Sequence, residues 1–152
     1  MAERTSREVL NDLIQTCTDG ERGFRAAADL VTRPVLKTLF LELSTQRARF
    51  ADELLPHAQR LGGTAPSEGT TAASMHRRWM DLKSALTSHD EHAIVTEVRR
   101  GDAATLRVYS DALAGLLPPT ARDLVERQDE EIRAAHERIE AAARERLTQT
   151  LL

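Results

Sequence analysis

The chain has 152 residues, 41% of them hydrophobic, 30% charged and 3% aromatic, which suits one soluble domain with an aliphatic core that needs no covalent staple. A formal charge of -3 without any strongly basic stretch leaves no electrostatic footprint for nucleic acid, and the single cysteine, Cys17, rules out an internal disulfide or a CxxC metal knuckle. The N-terminal MAERTSREVLNDL lacks an apolar signal core and no window approaches the roughly 18 apolar residues of a membrane span, so the expected location is the cytoplasm, with no membrane partner.

Apolar residues repeat at helical spacing throughout. The first helix is expected from about Thr5 to Val31, with Leu10, Ile14, Cys17, Phe24, Ala28 and Val31 forming its seam. Pro34 breaks the chain and opens a second helix, to about Leu61, striped by Leu36, Leu39, Leu43, Phe50 and Leu54. Pro56 should kink its last turns, and Gly62-Gly63 should stop it. A polar crossover, about 62–72, reaches a segment with Met75, Trp79, Leu82 and Leu86 on its buried side. Ser88 or Asp90 then caps a helix carrying Val95, Val98, Thr105, Tyr109 and Ala112. Leu116-Leu117-Pro118-Pro119 is a turn, and a last helix from near Thr120 uses Val125, Ile132, Ala135 and Ile139, followed by a tail at about 143–152.

Two short connections and one long one make two helical hairpins joined by a crossover. That is the topology of a ferritin-like, antiparallel four-helix bundle in one domain, 1–152. Polar residues interrupt its seams. Glu21 falls in the steps 14, 17, 21, 24; Gln46 in 36, 39, 43, 46, 50; Asp102 in 95, 98, 102, 105, 109; Gln128 and Glu131 in 121, 124, 128, 131, 135. Glu21 and Gln46 each lie about 18 Å from the first turn at roughly 1.5 Å per residue, and Asp102 and Glu131 stand in a similar relation to the second. One level of carboxylates and amides is where ferritin-like proteins hold two metal ions, with one Glu from each of two helices and Glu-x-x-His from each of the others. Iron or manganese is the cofactor such a donor set suits.

Neither Glu-x-x-His is present: the second helix reads Gln46-Arg47-Ala48-Arg49-Phe50, and His136 follows Arg133 at three residues. The competing reading is an ion cluster in which Glu21, Asp102 and Glu131 bond Arg47 and Gln46. The remaining candidates have simpler readings. His89 and His92 sit near a helix start as solvated residues. Trp79 is a core residue beside solvated His76, Arg77 and Arg78. Cys17 is a buried structural thiol.

The segment LNDLIQTCTDGERGFRAAADLV through LSTQRARFADEL, the LGG stop, SMHRRWMDLKSAL, HAIVTEVRRGDAATLRVYSDAL and the LPP turn together resemble a bacterial family of ferritin-like four-helix-bundle proteins of unknown function, over about residues 7–142. The resemblance implies the fold and a cytoplasmic, bacterial protein, and carries no established activity. More distantly the chain is similar to the rubrerythrin branch, in which the Glu of the first-helix Gly-Glu pair ligates metal. Glu21 matches that position, and Asp102 matches its third-helix counterpart with a shorter side chain. Two functions follow as expectations. One is a non-catalytic, stress-associated structural or interaction protein that self-associates, a dimer being favoured, around a degenerate metal site. The other is a di-iron or di-manganese oxidoreductase using Glu21, Asp102 and Glu131, with Gln46 and Gln128 in support.

Overall fold

The structure is a computed structural model and describes residues 4–63, 82–84, 87 and 90–151. Among them all regular secondary structure is helical: α1 (Ser6–Leu30), α2 (Pro34–Arg60), α3 (Glu91–Ala114) and α4 (Pro119–Leu151). These four match expected helices to within a residue or so, except that α4 continues through the expected tail to Leu151. The expected crossover beyond Gly63 and most of the segment after it, with Met75, Trp79 and Leu86, lie outside the described residues; Leu82 of that segment is described and buried.

The helix ends follow from local chemistry. Thr5 caps α1 in a reciprocal box: its hydroxyl accepts from the Glu8 amide while the Glu8 carboxylate accepts from the Thr5 amide. Pro34 opens α2, where its missing N–H costs nothing. The Glu91 carboxylate accepts from the Thr32 amide at 2.7 Å and the Arg33 amide at 3.3 Å, placing negative charge at the start of α2. Asp90, one of the two expected caps, accepts from the His92 amide at the start of α3. Arg122 donates to the carbonyls of Leu113 and Gly115, closing the end of α3. α2 continues as helix past Pro56 to Arg60, and Gly62 and Gly63 follow at positive φ, the conformation glycine adopts without strain.

α1 packs on α2 and α3, and α4 packs on the same two, so the helices surround a shared interior in the order α1, α2, α4, α3. Two apolar clusters fill it. One joins Phe24, Ala28 and Val31 to Leu36, Phe40 and Leu43, with Ile94, Val98, Ala135 and Ile139. The other joins Leu10, Leu13 and Cys17 to Phe50 and Leu54, with Tyr109, Val125 and Ile132. Leu13 takes the deep place expected of Ile14, which is half-buried at the cluster's edge. No helix among the described residues is long and apolar enough to cross a membrane.

Candidate functional site

Each helix crosses from one apolar cluster to the other through a polar or small residue. On α2, Arg47 stands between Leu43 and Phe50; on α3, Asp102 between Val98 and Tyr109; on α4, His136 between Ile132 and Ile139; on α1, Gly20 between Cys17 and Phe24. The side chains of Arg47 and Asp102 are 1% and 0% exposed, and Nη2 of Arg47 donates to Oδ1 of Asp102 at 2.7 Å. Burying two charges costs several kcal/mol each unless geometry and further hydrogen bonds repay it. Here Arg47 Nε also donates to Gln46 Oε1 at 3.1 Å, and its guanidinium carbon lies 5.1 Å from the centre of the Phe24 ring. Gly20 faces the arginine stem, where a Cβ would stand in ordinary contact, 3.4 Å from Arg47 Cγ and 3.6 Å from Nη1.

The second oxygen of Asp102 lies 3.1 Å from Nδ1 of His136. The far nitrogen of that ring is 3.6 Å from Glu140, which accepts both Nε and Nη2 of Arg99 at 2.8 and 2.7 Å. A chain of polar contacts through Asp102, His136 and Glu140 thus runs from Arg47 in the centre to Arg99 at the surface. The hydrogen bond to Asp102 raises the His136 pKa above 6.5, outweighing partial burial. The Arg99 fork holds the Glu140 carboxyl below 4.5. Beside the layer, between α1 and α3, a cavity of about 50 Å3 is lined by Gly20, Phe24, Arg47, Glu97, Gly101 and Asp102, among others.

A second polar cluster lies one layer away. Tyr109 is seven residues after Asp102, about 10 Å along α3. Its hydroxyl donates to Gln128 Oε1 at 2.7 Å and lies 3.2 Å from Cys17 Sγ. Gln128 Nε2 in turn donates to the Phe50 carbonyl and to Glu53. Burial pushes the Cys17 thiol up to about 11 and the Tyr109 phenol well above its ordinary value.

The five residues proposed from the seams therefore divide. Asp102 and Gln128 are buried, but in different layers. Gln46 is half-buried and supports Arg47. Glu131 is exposed, its side chain accepting from Arg49 at 2.6 Å. Glu21 is half-buried; its carbonyl accepts from the Ser44 hydroxyl at 2.8 Å, while Gly20 faces Arg47. The structure places Asp102 with Arg47 and Gln46, as in the ion-cluster reading, and leaves Glu131 outside that cluster. His136 takes part without the Glu-x-x-His spacing; only its place on the 132, 135, 136, 139 face hinted at it.

Among the described residues no group of three or more His, Cys, Asp or Glu side chains is arranged to hold a metal ion. The surroundings of Asp102 do not fit one either. A guanidinium already lies 2.7 Å from one carboxylate oxygen and an imidazole nitrogen 3.1 Å from the other, so both oxygens are engaged by side chains of the same chain.

Fold and layer together define an all-helical protein whose central polar groups are neutralised from within the chain. The chain belongs to the family described as a domain of unknown function (DUF2383), whose model matches residues 6–115. α4, which supplies His136 and Gln128, lies beyond the matched stretch. A comparison with curated proteins finds no match.

Proposed function

We propose that the protein is a ferritin-like, antiparallel four-helix bundle of bacterial, cytoplasmic origin, working as a non-catalytic structural or interaction protein with a degenerate metal site. The observation that carries this reading is the Arg47–Asp102 pair. A cation supplied by the chain stabilises the buried carboxylate that a metal would otherwise stabilise, and so removes the reason for a metal at that level. Association as a dimer, and a link to stress, rest on analogy with the fold alone. Light scattering on the purified protein tests the association: a dimer mass is expected at micromolar concentration. A strict monomer across the concentration range, together with oxygen or peroxide turnover, would replace this reading with a metal-dependent oxidoreductase.

A further inference from the structure

We infer that the layer between the two cores is a built guanidinium site, filled by Arg47 of the same chain and selective for a planar organic cation over a divalent metal. The inference deepens the degenerate-site reading and rests on it. Three features of the surroundings fit a guanidinium. The Asp102 carboxylate, itself 0% exposed, accepts from Nη2 at 2.7 Å. The Gln46 amide oxygen accepts from Nε at 3.1 Å. The Phe24 ring lies 5.1 Å from the guanidinium carbon, within the range of a cation–π contact. A point-charge ammonium would use fewer of these, because it has no planar fork. A divalent metal needs several oxygen or nitrogen ligands at about 2.0–2.6 Å, and an aromatic face supplies none.

The cavity of about 50 Å3 is lined by Gly20, Phe24, Arg47 and Asp102 among others, so a small solute placed in it meets the groups that hold the arginine. Arg47→Ala deletes the atoms of an ethylguanidinium ion, which makes that ion the probe. The variant is expected to melt roughly 10 °C below the parent, as loss of one partner of a buried pair implies. Low-millimolar ethylguanidinium should raise its melting temperature saturably and leave the parent unchanged; ethylammonium should do less, and Mn(II) nothing. The rise should vanish in Arg47→Ala/Asp102→Asn. Stabilisation of Arg47→Ala by Mn(II), or no response of the folded variant to ethylguanidinium, overturns the inference while leaving the dimer test of the general reading intact. If Arg47→Ala does not fold, Arg47→Lys decides: a lowered melting temperature indifferent to Mn(II) is expected, and a rise with Mn(II) overturns it.

Discussion

The guanidinium of Arg47 and the carboxylate of Asp102 meet at 2.7 Å with both side chains sealed from solvent, 55 residues apart in sequence and on helices whose backbones stand diagonally across the bundle. The pair therefore ties α2 to α3 across the interior. Removing Asp102 leaves Arg47 as a buried charge without its carboxylate, and removing Arg47 leaves the Asp102 carboxylate with His136 alone. Arg47→Met or Asp102→Asn alone is expected to cost about 3–5 kcal/mol. The double variant Arg47→Met/Asp102→Leu should recover most of that loss, since apolar replacement of a buried pair is often neutral or better. Urea unfolding of the three variants measures the coupling; additive losses would show that the pair does not act as a unit.

His136 makes the same region sensitive to pH. Its folded pKa is raised above 6.5 by Asp102, with Glu140 adding to the effect and Arg99 opposing it. A group whose pKa rises on folding stabilises the protein fully below its unfolded value, and that contribution disappears as pH rises through the folded value. The Glu140 carboxyl is shifted the opposite way, so its contribution is present above 4.5 and fades on acidification. Melting temperature should therefore fall between pH 6.5 and the raised His136 value, and His136→Gln should flatten that limb while leaving the acid limb in place. An unchanged alkaline limb in the variant would assign the effect to another group.

The helices and most of their buried faces were legible in the sequence because aliphatic spacing at three and four residues determines which side of a helix meets the core. Pro34 and Asp90 signalled helix starts through chemistry that acts within one turn. The polar layer was less legible because the seam alternates steps of three and four, and periodicity alone does not say which comes next. The step from Leu43 runs to Arg47, not Gln46; from Gln128 to Ile132, not Glu131; from Cys17 to Gly20, not Glu21. Each difference is one residue, and each is settled by contacts with another helix. From Val98 the same choice falls between Gly101 and Asp102, and only Asp102 carries a polar side chain to notice.

The thiol of Cys17 should be inert in the folded protein. It is fully buried, and burial raises its pKa to about 11 despite the hydrogen bond with Tyr109. At pH 8 only about one thiol in a thousand would be ionised, and the thiolate is the reactive form. Labelling with a thiol reagent at pH 8 should proceed at the rate of unfolding, and at once in denaturant. Rapid stoichiometric labelling of the native protein would contradict the burial. Tyr109→Phe should cost about 1–3 kcal/mol, because Gln128 Oε1 then loses its buried donor.

Two glycines should respond in opposite directions. A Cβ on Gly101, inside α3, would meet nothing within 4 Å, so Gly101→Ala should stabilise by about 0.5–1 kcal/mol through helix propensity. Gly62 has φ +117°, and Gly62→Ala should destabilise by about 1 kcal/mol or more. Equal signs for the two would remove the conformational argument at one of them.

The most direct test of a bundle neutralised by its own arginine is elemental analysis of untagged protein purified without chelator, beside Glu21→Ala and Asp102→Asn. The account predicts iron, manganese and zinc well below one per chain in all three, before and after loading. One or two ions per chain in the parent, lost in Glu21→Ala or Asp102→Asn, would contradict it and make the layer a metal centre.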